Sequence, residues 1–477
     1  MHKPWLASLA LALLSPVAAR AQAAPATPAA PTELNALRQE INALRASYET
    51  RMQALELRLQ AAEAGTATSA NLAATATAAA PAPAPASRVA AATATAAAPP
   101  TASANAFNPA ISLILSGLYQ HRSRDPAAYT LAGFPLPVGT EAGPGGRGFS
   151  LAESELGFAA SIDPWWRGSA NIALHPDNTV SVEEAYIETT ALGNGVSLKA
   201  GRFFSGIGYL NAQHAHTWDF VDNPLAYQAM LGTQYGDDGV QLHWLAPMDH
   251  YLELGLELGR GRSFPGSDTS RNGAGMAALT LHTGGDIGDS HNWRAGLSVL
   301  DTQADSQALT AIDTNGNLVN NLFNGNTRVY IADAVWKWAP NGNATRTSFK
   351  LQGEYLQSRR SGNLTYDTAN ANVTDAYSAV QSGWYLQGVY QFMPRWRVGL
   401  RTERLDAGTP NYGANTAALA GTAFQPSKNT LMLDYNPSEF SRVRLQLAQD
   451  RSTEGRTDNQ LYLIYQMSLG AHGAHSY

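Results

Sequence analysis

Tyr251 to Gly259 reads YLELGLELG, with leucine at every even position from Leu252 to Leu258 and Tyr251, Glu253, Gly255, Glu257 and Gly259 at the odd ones. A period of two is that of a β-strand, whose side chains point alternately to opposite faces. Two folds put leucine on one side and carboxylates on the other with that period. In a soluble sandwich the leucines form the core and the glutamates meet solvent. In a membrane barrel the leucines meet lipid and the glutamates meet a wet lumen.

The same alternation runs from Phe107 to Tyr477. Leu156, Phe158, Ala160 and Ile162 alternate with Glu155, Gly157, Ala159 and Ser161, and Trp396, Val398 and Leu400 alternate with Arg397, Gly399 and Arg401. Val443, Leu445 and Leu447 have Arg442, Arg444 and Gln446 on the other face. About sixteen such segments follow one another, each near the ~10 residues that a tilted membrane strand needs. Their connections alternate in length. Short ones fall at Asp163-Pro164, Gly193-Asn194-Gly195, Ala246-Pro247, Pro340-Asn341-Gly342, Met393-Pro394 and Asn436-Pro437. Long ones lie between them, at Gln120 to Ser150, Phe204 to Gly239, Arg260 to Ala274, Asp301 to Thr327, Ser358 to Ser382 and Asp406 to Asn429. Short turns on one side and long loops on the other predict an all-β antiparallel transmembrane barrel over 107–477, with an even number of strands. Glu253 and Glu257, together with Glu153 and Glu155, then face the lumen, and the leucines face lipid.

The residues before the barrel divide into four. Residues 1–23 carry a basic Lys3, an apolar run and small residues around Ala21-Gln22-Ala23, the pattern of a secretory signal peptide. A short linker covers 24–32. Over 33–63, Leu34, Leu37, Ile41, Leu44, Tyr48, Met52, Leu55, Leu59 and Ala62 form a heptad seam with one stutter, which predicts a coiled coil needing partner helices. Residues 64–106 are an Ala/Thr/Pro-rich linker with a single charge, Arg88, too uniform to build a core. The chain has no cysteine, so disulfides, thiolate metal sites and a lipid anchor on cysteine are excluded. A net charge of -6 gives no reason to expect a nucleic-acid partner.

The connection from Phe203 to Gly239, FFSGIGYLNAQHAHTWDFVDNPLAYQAMLGTQYGDDG, is apolar for an external loop. Folding inward, it would narrow the lumen. Its acids Asp219, Asp222, Asp237 and Asp238 would stand at a constriction, facing Arg397, Arg401, Arg442 and Arg444 across a water gap and setting up a transverse field. The loop also holds His214, His216 and Asp219, a nitrogen and oxygen set of the kind zinc takes, and His472 and His475 lie in the tail. No resident cofactor is called for, with zinc or another divalent ion the kind this set suits. No Gly-x-Ser-x-Gly elbow, Walker loop or His-Glu-x-x-His motif is present, and no enzyme activity is expected.

Signal peptide, periplasmic coiled coil, Ala/Pro tether and a barrel whose long third connection follows LKAGRFFSGIGYLN resemble the trimeric porins of Gram-negative outer membranes. GFSLAESELGFAASIDPWW, GRFFSGIGYLNAQHAHTWDFVDNPLAYQAMLG and MSLGAHGAHSY also resemble a proteobacterial barrel family sometimes labelled a zinc-regulated or TonB-dependent receptor. The resemblance implies a cell outer-membrane location with stalk and C-terminus periplasmic, contact with lipid and lipopolysaccharide, a homotrimer, and a stalk reaching toward peptidoglycan. It implies passive diffusion of small hydrophilic solutes. The alternative it carries is a receptor or transporter linked to zinc uptake, or an envelope tether. Receptors of that kind have 22-stranded barrels with a separate plug, for which Phe107 to Tyr477 is too short. The mixed Glu and Arg lumen also departs from the basic ladders of phosphate-selective porins.

Overall fold

In the computed structural model, Leu254, Leu256 and Leu258 of the opening stretch are exposed, while Gly255, Glu257 and Gly259 between them are buried, Glu257 at 0% exposure. This is the reverse of a soluble sheet, in which the apolar face is the covered one. The reversal recurs around the molecule: Leu279, Leu297, Leu386, Leu400, Leu431, Leu445 and Leu463 face outward, while Gln352, Glu354, Gln387, Arg401, Asp434, Arg444 and Gln446 are buried.

The structure describes residues 109–137, 142–268 and 272–470. The signal peptide, coiled coil, linkers and tail histidines expected from the sequence lie outside these residues. The strands, in chain order, are β1 (Ala110–Arg122), β2 (Leu136–Pro137), β3 (Gly148–Leu151), β4 (Ser154–Ser161), β5 (Trp166–Leu174), β6 (Val180–Thr189), β7 (Val196–Phe204), β8 (Gly236–Leu245), β9 (Tyr251–Gly259), β10 (Met276–Ile287), β11 (His291–Ile312), β12 (Leu318–Trp338), β13 (Ser348–Tyr366), β14 (Val373–Met393), β15 (Trp396–Asp406), β16 (Ser427–Ser438), β17 (Ser441–Arg451) and β18 (Asp458–Gly470). Each wall strand pairs antiparallel with the next, and β1 pairs with both β4 and β18, so the sheet closes on itself. β2 is a two-residue pairing on β11, and β3 continues the line of β4 across a break at Ala152-Glu153, which leaves sixteen strands in the wall. Closure removes the unpaired sheet edges that would otherwise be costly in an apolar surround. Among the described residues no helix is long and apolar enough to cross a membrane.

Aromatic side chains collect at the end of the barrel that carries the short turns. Trp293 sits opposite Trp336, Trp338 opposite Phe349, Phe349 opposite Tyr390 and Trp396 opposite Tyr435, the last two rings 4.7 Å apart. On β13 and β14 a second aromatic pair, Tyr355 opposite Trp384, lies six residues further up. At a rise of about 3.4 Å per residue, the apolar band between the two levels is roughly 20 Å along the strand. Outer-membrane barrels have aromatic girdles flanking a band of about that height.

Two expected loops are not loops. The sequence predicts long connections at Asp301 to Thr327 and Ser358 to Ser382, yet the ladder of β11 with β12 runs on to Ile312 opposite Leu318, and that of β13 with β14 to Tyr366 opposite Val373. True turns are only 313–317 and 367–372. Beyond the apolar band the outward face no longer has to be apolar, and Leu309, Phe323, Leu364 and Tyr377 are instead buried in a cluster of their own, so the outward-apolar alternation fades while backbone pairing continues. A bulge between Ala304 and Gln307 also breaks the period there.

Candidate functional site in the lumen

The connection between β7 and β8, residues 205–235, folds into the barrel. Asn211 closes its neck: Nδ2 donates to the carbonyls of Ser205 and Tyr235, both at 2.8 Å, and Oδ1 accepts from the Tyr235 amide at 2.8 Å. The loop carries one helix, α1 (Leu225–Leu231), started after Pro224 and ended at Gly232 with φ 71°. All seven helical residues are buried. They pack on inward-pointing Leu300, Val329, Ile331, Leu356, Tyr385 and Leu405, an apolar patch on the inner wall. A patch of that kind in a polar lumen exists to receive something apolar, and α1 fills it.

Polar groups complete the seating. The buried carboxylate of Glu354 accepts from the amides of Tyr209 (3.2 Å) and Leu210 (3.0 Å) and from the hydroxyls of Tyr227 (2.8 Å) and Tyr385 (2.6 Å). Glu403 accepts from the Leu225 amide at 2.5 Å, at the N-terminus of α1, and Glu257 accepts from the Gly206 amide at 2.8 Å. Gly208 holds φ +66°, and a Cβ there would overlap both Glu354 and Tyr227. Burial and the Glu354 carboxylate hold the Tyr227 hydroxyl well above its ordinary pKa, so it stays a donor.

The far limb of the loop meets the basic row. Asp219 pairs through Oδ2 with Lys350, the same oxygen accepts from Gln387 at 3.2 Å, and Oδ1 lies 3.4 Å from Arg397. Asp222 pairs with Arg401 at 3.0 Å and Lys428 at 2.5 Å. Arg442 donates to the His216 carbonyl at 2.6 Å and Arg444 to the Trp218 carbonyl at 2.8 Å, while Asp434 pairs with both Arg397 and Arg444. Burial opposes ionisation of Asp219 and Asp222, but Lys350 and Arg397 beside one and Lys428 and Arg401 beside the other win, and both carboxyls titrate below the usual range. The expected water gap between these acids and the arginines is therefore replaced by direct ion pairs.

The other expected lumen acids are elsewhere. Asp237 accepts from the Gly261 amide at 2.6 Å, and Asp238 pairs with Arg202 at 2.7 Å, both away from the arginine row. Glu253 stands 3.3 Å from His282 and 4.0 Å from His243. Asp219 does not join His214 and His216, because the 3-10 turn Ala215–Thr217 and the residues after it carry it to the β13–β15 wall. The histidines meet Glu153 and Glu155 instead: His214 Nδ1 lies 3.1 Å and His216 Nδ1 3.2 Å from Glu155. Burial works against protonation of either imidazole, but Glu155, Glu183 and Glu184 around His214, and Glu153 and Glu155 around His216, raise both above the ordinary histidine value. Sequence reasoning missed Glu354, Glu403, Lys350, Lys428, Glu183 and Glu184. The signal available was weak: each except Glu183 is an inward polar position on an alternating strand, indistinguishable from its neighbours until the loop lands on it, and Glu183 sits where the pairing of β6 with β5 slips by one residue.

No family model matches the chain. Among solved structures it is similar to the trimer form of OmpT, an outer membrane protein of Vibrio cholerae, at 11% identity over 76% of this chain and 99% of that one, with a TM-score of 0.46. An anion-selective porin from Comamonas acidovorans gives the same identity, coverage and TM-score. OprB of Pseudomonas putida is 14% identical over 76% of this chain and 94% of its own, with a TM-score of 0.44. A protein of Aquifex aeolicus strain VF5, described as an uncharacterized protein, is 31% identical over 401 residues, covering 79% of this chain and 81% of the relative. A match of that identity over that length makes the chain a member of the same protein family as the Aquifex aeolicus protein.

Proposed function

We propose that the protein is an outer-membrane porin: a water-lined barrel through which small hydrophilic solutes or ions diffuse, narrowed by the inward-folded loop 205–235. The observation that carries this reading is the inverted polarity of the wall, apolar outward and charged inward on strand after strand. An interior lined by Glu, Asp, Arg, Lys and Gln serves no purpose in an ordinary packed core, whereas it keeps a conduit wet. The loop 205–235 sets the bore by occupying lumen that the wall alone would leave open.

In this reading the short turns lie on the periplasmic side with both barrel termini, and the long connections and tall hairpins face outward. The heptad seam over 33–63 needs partner helices, which fits assembly as a homotrimer with a periplasmic stalk. The reading is tested with proteoliposomes swollen in sugars of increasing size, using protein whose fold is verified by heat-modifiable gel mobility. Small sugars are expected to enter and larger ones to be excluded. Folded protein that admits none would favour a closed receptor or tethering barrel.

A further inference from the structure

Two irregularities in the wall build a cluster that the conduction path does not need. Glu153 sits in the break between β3 and β4, two residues from Glu155 on the same face. On β6 the pairing with β5 shifts register between Asn171, opposite Glu184, and Ile172, opposite Val182, so Glu183 is an extra, bulged residue. Neighbours on a regular strand point to opposite faces, yet here Glu183 and Glu184 both reach His214, at 3.2 Å and 2.9 Å. Bulges that re-aim a side chain are concentrated next to functional sites.

We propose that Glu153, Glu155, His214 and His216 form a site for one divalent cation of the zinc class, which pins the tip of the inward loop to β4. The two imidazoles stack with centroids 5.6 Å apart and turn their Nδ1 edges to the same Glu155 oxygen. Neither approach is aligned as a hydrogen bond, and that oxygen has no other hydrogen-bond partner. The four ligand atoms lie within 4.8 Å of one another. Ligands at about 2.0–2.1 Å around a tetrahedral zinc stand about 3.3 Å apart, and three of the six separations here are 3.1, 3.2 and 3.9 Å, with none beyond 4.8 Å.

The surroundings orient the set. His214 Nε2 is 2.9 Å from Glu184, the carboxylate–histidine arrangement that fixes a metal-binding imidazole with its other nitrogen free to ligate. In the tautomer that donates Nε2–H to Glu184, Nδ1 turns its lone pair toward carboxylate oxygens of Glu155 and Glu183 at 3.1 and 3.2 Å, whereas the Asn171 amide, also 2.9 Å from Nε2, favours the tautomer with Nδ1–H on Glu183. Either a proton on Nδ1 or a metal cation placed among them makes that arrangement attractive, and the zinc measurement separates the two. Imidazole nitrogen with carboxylate oxygen selects zinc and its transition-metal neighbours over calcium or magnesium, which want oxygen alone.

The test is equilibrium zinc binding and cobalt ligand-field absorption on the full chain, folded in detergent and stripped with a chelator. The site predicts one tightly held zinc per chain and an intense visible cobalt band. Both are lost in Glu155→Gln and in His214→Gln, while a contribution from the tail histidines would persist in those variants. Glu184→Gln keeps all four ligands but loses the orienting partner, and should weaken zinc roughly 10- to 100-fold. Glu153→Gln, at the half-exposed edge, provides a variant whose folding is not at stake and should also weaken binding. Folded wild type that takes up no stoichiometric zinc, or variants that bind it as well as wild type, would overturn the proposal in favour of a protonated histidine–carboxylate cluster.

Discussion

Glu354 receives donors from both limbs of the inward loop and from the neighbouring wall strand, β14. Replacing it with alanine orphans two amides and two tyrosine hydroxyls, at about 1–3 kcal/mol for each that water cannot reach. Glu354→Ala is expected to lower the midpoint of heat-modifiable unfolding and to enlarge and destabilise the open current level, whereas Glu354→Gln, which can still accept, should do less. Asp222 acts with a definite pH sign. Its carboxyl is depressed in the folded state, so its contribution is fully present above the ordinary Asp value of about 3.9 and fades as pH falls through the depressed value. Acid release of the loop is therefore expected only below roughly pH 4, seen as onset of protease cleavage within 205–235, and Asp222→Asn should show cleavage at neutral pH. The acids of the loop and the arginines of β15 and β17 were legible in the sequence. Their pairing was not, because which inward side chain meets which loop residue depends on where a thirty-residue segment lands in the lumen.

At the scale of elements, the period-two pattern located every wall strand because lipid-facing and lumen-facing residues differ so sharply in chemistry. It gave out where that contrast ends. The upper parts of β11 to β14 are hydrogen-bonded hairpins in which the apolar face is the buried one, with Leu309, Val319, Phe323, Leu364 and Tyr377 in a cluster of their own, and the sequence there does not continue the outward-apolar pattern. Amide exchange separates the two descriptions: residues 301–312, 318–327, 358–366 and 373–382 should be protected, and 409–425, between β15 and β16, should exchange faster. The outward face has its own test. Leu256→Arg places a charge in the middle of the apolar face of β9 and should cost about 2–4 kcal/mol of folding stability in bilayers. A neutral effect on refolding into lipid vesicles would mean that this face does not meet hydrocarbon.

In the molecule as a whole three things come together: a closed wall with inverted polarity, a loop seated on the inner surface by an apolar patch and an ion-pair row, and the proposed passage for water beside that loop. The first two are features of the structure, and the third is the functional claim. Because the chain has no cysteine, single cysteines report without background. The decisive measurement is single-channel conductance in planar bilayers, comparing the wild type with a chain in which residues 209–234 are replaced by a short glycine-serine link. Steps that recur in threes and a markedly larger unitary conductance in the shortened chain are the predicted result. A silent wild type, or two chains of equal conductance despite correct folding, would contradict the claim that this loop narrows an open pore.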